Sequence, residues 1–468
     1  MESFSVKFWN VIERLKEPSL VLKVQNCFGV LPRKKLGCDI SNLKSEKSRR
    51  SLDHAENLCD LDDVDSNKLT DGLNGVGGYS DLNKEKAPWN RGIELSSVSS
   101  RKQGRDHNHG GSSVQDTRVA AGDALSSESD SETKDYVVTN RFWYYLFCLG
   151  TALGDEIFYA SFIPFWFWNI DGAVGRRVVL VWAITMYIGQ GIKDIVRWPR
   201  PASPPVFRLQ KKWALEYGMP STHAMVGASI PLSVILYTMD RYQYSIICGV
   251  LFAMVWCSVV CMSRLYLGMH SVLDIVAGLV LVLLLMVPLI PLVDAMDHFC
   301  LTHKHSPLLL STAAVLMVIY SPSGDRWTPT RGDTTVVLGV SLGVHVGAWT
   351  NYHSGAMQEL FPKPSLPHAI LWPSYEMMGL MLLRTALGFS CIVATRAICK
   401  WASYATLRAV LLGTNKSPNE PSTSRAEVAV ELGYKFFTYA AVGFNTLYLL
   451  PGAFRLLRIE RPTFYTEI

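Results

Sequence analysis

"SVLDIVAGLVLVLLLMVPLIPLV", residues 271–293, carries one charged residue, Asp274, near its start. An apolar run of about 20 residues is what a helix needs to cross the hydrocarbon core of a bilayer. It is not alone: "VVLVWAITMYIGQGI" fills residues 178–192 and breaks off at a cluster of cations, "KDIVRWPRP" (193–201). These runs set the fold class as all-α, a polytopic membrane helix bundle. Spans fit at 141–168, 177–195, 223–239, 244–263, 271–293, 307–321, 334–350, 375–398 and 431–455, about nine, with eight or ten reached by boundary shifts of a few residues. The first span is the weakest, because Asp155 and Glu156 interrupt it.

The bulk composition agrees. Of 468 residues, 49% are hydrophobic and 18% charged, against about a quarter charged in soluble proteins. Residues 1–139 are polar and the rest mostly apolar. The expected domains are an amphipathic N-terminal segment (1–33), a disordered polar region (34–139), a catalytic membrane core (140–295) and additional transmembrane helices (296–468). Residues 34–135 have too little apolar surface to offset chain entropy. Phe4, Phe8, Val11, Ile12 and Leu15 recur at helical spacing with Trp9 beside them, which suits a helix lying on a membrane or docked on the bundle. The first 24 residues lack the uninterrupted apolar core of a cleavable signal.

A net charge of +5 with no basic stripe interleaved with aromatics argues against nucleic acid as a partner. The ten cysteines form no CxxC pair and no zinc spacing, so free thiols are expected. Membrane lipids are the expected surroundings, and nothing in the sequence bears on oligomeric state.

Three polar stretches interrupt the apolar pattern. Lys193 and Arg200 stand seven residues apart, about two helical turns, with Pro199 and Pro201 closing the helix. Two fixed cations suit a phosphate, whereas one alone would read as an interface anchor, the reading given to Arg197. Next comes Pro220-Ser221-Thr222-His223, a turn entering a helix. Its N–H groups favour an anion, and Ser221 can cap the helix or donate to phosphate. The third stretch, "SRLYLGMHSVLD" (263–274), ends one span with Arg264 and opens the next with His270 and Asp274 on one helix face. Asp274 can accept from one imidazole nitrogen and leave the other as a nucleophile. Such a pair decides little by itself. Topology decides more: two crossings separate loop 196–222 from loop 264–270, so both loops lie on one side of the membrane.

These motifs resemble those of the type 2 phosphatidic acid phosphatase superfamily: K-x6-R-P, then P-S-G-H, then S-R-x5-H-x3-D. The order and both internal spacings match, and Thr222 stands where the wider family has Gly. "PSTH" with "KDIVRWPRP" is similar to the sphingosine-1-phosphate phosphatase branch, and the long polar N-terminal region and late spans resemble its type 1 subgroup. The resemblance implies catalytic roles for His270, His223 and Asp274. It implies phosphate binding by Lys193, Arg200, Ser221, Thr222 and Arg264. His270 would be the nucleophile through a phosphohistidine, and His223 the acid and then the base. It implies a lipid phosphate substrate, an endoplasmic reticulum membrane and a lumenal active site. No metal or other cofactor is expected, since Asp194 and Asp274 are too few for a metal cage and the cations do a metal's work.

The rival readings are a broad lipid phosphate phosphatase, a glucose-6-phosphatase-type enzyme, and an inactive binder or transporter. With nine spans the N-terminus shares the active-site side, although an amphipathic anchor would suit the cytosol. Asp155 and Glu156 invite a contact with a substrate ammonium, against the plainer reading of a polar break in the first span. Glu376 and Arg384 are expected to face other helices, the "RGD" at 331–333 reads as chance, and Pro418 weakens the sequon at 415–417.

Overall fold

The computed structural model describes residues 2–33, 135–210, 213–322, 328–357, 368–370, 372–412 and 424–467. Most of the expected disordered region, the acidic serine cluster up to residue 134 and the sequon lie outside the described residues. So does the side chain of Phe4.

Within these limits the chain is helical. Two N-terminal helices, α1 (Glu2–Lys16) and α2 (Pro18–Cys27), lead into strand β1 (Val30–Pro32), which pairs antiparallel with β2 (Tyr136–Val138). The main helices follow: α3 (Arg141–Ala152), α4 (Glu156–Asn169), α5 (Gly172–Val196), α6 (Thr222–Thr238), α7 (Ile246–Tyr266) and α8 (Val272–Thr302). Then come α9 (Ser306–Ile319), α10 (Thr330–His353), α11 (Tyr375–Leu412), α12 (Ser424–Phe444), a π turn (Asn445–Leu449) and α13 (Leu450–Leu456). A short parallel pair joins β3 (Tyr242–Gln243) to β4 (His368–Ala369).

Each expected span falls on helix, but length and apolarity single out fewer. Among the described residues four helices, α5, α7, α8 and α11, are long and apolar enough to cross a membrane. A fifth span results if α3 and α4, bent by 62° at their junction, act together. Helices α6 and α9 are apolar but shorter. Helix α10 buries Thr334, Thr335, His345 and Asn351, polar side chains tolerated because they face protein. Thr334 and Thr335 donate back to their own helix, and Asn351 donates to Leu447 O at 2.7 Å. Small residues let α10 approach α12 closely: a Cβ on Gly339 would lie 2.8 Å from Phe436 O, and one on Gly347 3.3 Å from Phe444 O.

Helix α5 is the axis of the bundle. Burial takes 61% of its apolar window, against 11% for α7 and for α11, so the latter two leave most of their surface outside the packed core. Val174, Val178 and Trp182 of α5 pack with Trp168, Met225, Ile230, Val282, Met286, Val337 and Leu447. At its N-terminus Asp171 caps Val174 N at 3.0 Å. Arg176 donates to both oxygens of Asp297 at 2.9 and 3.2 Å, and the C-terminal segment folds onto this end through Glu467, which accepts from Gly172 N. Arg384 is buried and donates to Asn169 and to Ile459 O, as expected. Glu376 is exposed instead of facing another helix, because it sits on the first, unpacked turn of α11.

The N-terminal segment docks at the opposite end of α5. Gln25, fully buried, donates to Phe207 O at 2.6 Å and Tyr266 O at 3.0 Å and accepts from Phe207 N at 3.1 Å. Lys16 Nζ lies 5.2 Å from the centre of the Trp198 ring. Phe8, Trp9 and Val11 of α1 remain more than half exposed. Helix α1 also packs on α8, so it combines a docked face with an apolar face left outward.

Candidate active site

The loops preceding α6 and α8 meet at the C-terminal end of α5. Helix α5 stops because Arg197 takes a left-handed conformation (φ 55°) and donates its N–H to Lys193 O, with Pro199 following. Arg200 therefore leaves the helix, so it meets Lys193 by a route other than helical periodicity. Glu216 brings them together. Lys193 Nζ donates to Glu216 Oε2 at 2.7 Å and to Thr222 Oγ1 at 3.1 Å. Arg200 Nη2 lies 3.6 Å from the same carboxylate, and its Nε donates to Glu216 O at 2.9 Å. All three side chains are buried. Arg197 is exposed, and its Nε donates to Asp194 O at 3.1 Å.

Ser221 is the N-cap of α6, its Oγ accepting from Ala224 N at 3.4 Å. Its own N–H is not open to an anion, because it donates to Asp274 O at 3.0 Å. That bond joins the start of α6 to the start of α8. The close approach needs glycine at 278, where a Cβ would lie 2.9 Å from Ser221 O. Thr222 spends its hydroxyl oxygen on Lys193. His223, half-buried, stands edge-on to Trp213 with ring centres 6.3 Å apart.

His270 lies between α7 and α8 and is 1% exposed. Its Nδ1 is 3.7 Å from Asp274 Oδ2, and its Nε2 is 3.3 Å from Arg200 Nη1, which also donates to Met269 O at 2.6 Å. Asp274 closes a capping box on α8: Ser271 N donates to Asp274 Oδ2 at 2.7 Å, and Asp274 N donates to Ser271 Oγ at 3.2 Å. The carboxylate is thus fixed before it meets the imidazole. Arg264 is fully buried; its Nη1 donates weakly to Gln210 at 3.4 Å. Its Nε and Nη2 have no hydrogen-bond partner among the described residues. A buried guanidinium with unused donors is suited to an anion.

The electrostatics follow from this packing. Burial holds His270 well below the ordinary histidine value, and Arg200, Arg264, Lys193 and His223 add to the effect. Its imidazole is therefore neutral at pH 7, the state a nucleophile needs. Burial pushes the Glu216 carboxyl up, but Lys193, Arg200 and Arg264 more than offset this and hold it below its usual range, ionised. Among the described residues no three His, Cys, Asp or Glu stand close enough together to hold a metal ion.

All eight residues singled out from the sequence gather at this one end of the bundle. Glu216 and Gln210 were missed. Glu216 left one trace, as the only acid in the basic loop 197–222.

Comparison with known proteins gives the same direction. Residues 175–295 match the model of the PAP2 superfamily. Sphingosine-1-phosphate phosphatase 1 of Rattus norvegicus is 42% identical over 324 residues, covering 69% of this chain and 74% of the relative. Sphingosine-1-phosphate phosphatase 2 of Mus musculus is 38% identical, covering 70% of this chain and 92% of the relative. The protein of that name from Homo sapiens is 35% identical, covering 80% and 92%. No solved structure gives a significant match. On these relatives and the shared motifs, the chain belongs to the sphingosine-1-phosphate phosphatase family of the PAP2 superfamily.

Proposed function

We infer that this chain is a membrane lipid phosphatase that hydrolyses sphingosine 1-phosphate and related long-chain base phosphates to the free base and inorganic phosphate. The observation that carries the reading is the single buried cluster of His270, Asp274, Lys193, Arg200 and Arg264 at the end of α5. It lies where an amphiphile can keep its tail in lipid and present its phosphate to fixed cations.

His270 Nε2 attacks phosphorus while Nδ1–H faces Asp274, which balances the positive charge the ring acquires. The P–O bond to the base breaks, and His223 donates its proton to the leaving alkoxide. His223 then takes a proton from water, the resulting hydroxide attacks phosphorus, and the P–N bond breaks to release phosphate. Such acid–base help is worth about 10²–10⁴-fold. Arg200 and Arg264 hold the phosphoryl oxygens where charge spreads. Lys193 adds positive potential from beside Thr222. Ser221 and Thr222 act through position: Ser221 fixes α6 against α8, and Thr222 steers Lys193. The three cations take the part a metal plays elsewhere, so activity is expected to survive EDTA.

The bundle is taken to cross the membrane nine times, in the endoplasmic reticulum, with the site lumenal. The docking of Gln25 on Phe207 and Tyr266 supports an N-terminus on the active-site side. Protease protection of an N-terminal tag in sealed microsomes tests this; digestion of the tag from outside would refute the lumenal placement. The activity is tested by phosphate release from sphingosine 1-phosphate by membranes bearing wild type or His270→Ala. The variant is expected to lose release; equal release by both would overturn the reading.

A further inference from the structure

The leaving group locates the rest of the substrate. In a sphingoid base phosphate the ammonium sits on the carbon beside the one bonded to the phosphate oxygen. With His223 protonating that oxygen, the ammonium falls a few ångströms from His223, on the side away from His270.

The break between α3 and α4 lies there. A Cβ on Gly154 would stand 2.8 Å from His223 Cδ2 and 3.4 Å from His223 Cβ, so the turn is pressed against the imidazole. The next residue is Asp155, half-buried, with its N–H donating to Ala152 O at 3.1 Å. The break is pinned on both sides: Thr151 Oγ1 donates to Ser263 Oγ at 3.0 Å, and Tyr159 Oη donates to Leu153 O at 2.9 Å. Asp155 is within electrostatic reach of Arg264, which places it at the rim of the phosphate cluster. Among the described side chains, Glu216, Asp274 and Asp194 lie on the phosphate side. Glu216 holds Lys193 and Arg200, Asp274 holds Ser271 and His270, and Asp194 adjoins Lys193 on α5.

We propose that Asp155, carried against His223 by Gly154, is the ammonium-binding subsite for the amino group of a long-chain base phosphate. The cations grip the anionic end of the zwitterion, and Asp155 receives its cationic end. A glycerol-based phosphomonoester has no ammonium there and gains nothing from the carboxylate. The plainer role for Asp155 is the N-cap of α4, where Asp and Asn serve almost equally. Asp155→Asn therefore keeps a capping side chain and removes the charge.

The inference rests on the proposed activity, and its test separates the two. Full-length wild type, Asp155→Asn and Asp155→Glu are compared in membranes on sphingosine 1-phosphate and on a lysophosphatidate of equal chain length. In Asp155→Asn the ratio of kcat/KM for the base phosphate to that for the lysophosphatidate is expected to fall at least about tenfold, mainly through KM. Asp155→Glu is expected to recover part of the ratio. A proportional fall on both substrates, or no change on either, overturns the subsite. Wild type that releases phosphate from glucose 6-phosphate but from neither lipid overturns the proposed activity itself, before any variant is compared.

Discussion

Glu216 Oε2 accepts a hydrogen bond from Lys193 Nζ at 2.7 Å, with both side chains no more than 5% exposed. A carboxylate in a phosphate site looks counterproductive. Without it, however, Lys193, Arg200 and Arg264 would crowd together as buried like charges. Removing one partner of a buried pair costs about 3–5 kcal/mol. Glu216→Ala is expected to lower stability by an amount of that order, read as a lower thermal midpoint, and to reduce activity. Lys193→Met combined with Glu216→Ala is expected to recover much of the stability and none of the activity. Additive loss of stability in the double variant would show that the two residues are not coupled.

The pH dependence follows from His270. Burial, then Arg200, Arg264, Lys193 and His223, keep its pKa well below the ordinary 6.5. The folded chain therefore refuses a proton that the unfolded chain accepts once pH drops below about 6.5. Stability is expected to decline from there down to the depressed folded value. Activity requires neutral His270 and protonated His223, so kcat/KM against pH is expected to be bell-shaped. Its acid limb should lie well below 6.5. A monotonic profile, or an acid limb at 6.5 or above, would contradict these protonation roles.

Gln25 ties the N-terminal helices to the catalytic loops. Its amide bridges Phe207 and Tyr266, the latter four residues before His270. Gln25→Ala leaves buried backbone groups unsatisfied, at about 1–3 kcal/mol each. The expected result is a lower thermal midpoint together with reduced kcat, read by thermal denaturation and phosphate release. Gln25→Glu is expected not to rescue, because the carboxylate cannot donate to the two carbonyls. Wild-type kcat in Gln25→Ala would detach the N-terminal segment from catalysis.

Much of this site was legible because the chemistry is concentrated in three short stretches. Lys193, Arg200, His223, Arg264, His270 and Asp274 declare themselves as charges where an apolar pattern has no need for them. The topological argument that two crossings separate the loops then brings them together, as Arg200 and Met269 do at 2.6 Å. What stayed hidden was what each group gives up to its neighbours. Ser221 looked like an anion donor, yet its N–H belongs to Asp274 O. Glu216 and Gln25 act through partners distant in sequence, which no local spacing encodes. Among the described residues, length and apolarity by themselves single out four or five of the nine expected spans, for a related reason. In α10 and α12 close packing through Gly339 and Gly347 does what apolar length does elsewhere, and hydrophobic periodicity cannot tell a helix that faces protein from one that faces lipid.

The most direct test is the covalent intermediate. Membranes bearing the wild-type chain are mixed with sphingosine 1-phosphate labelled in the phosphate and quenched within one turnover. The expected result is an alkali-stable, acid-labile label on the peptide containing His270, absent from His270→Ala and longer-lived in His223→Ala, where no base activates water. Label on another residue, or undiminished turnover by His270→Ala, would mean that phosphate does not pass through this imidazole.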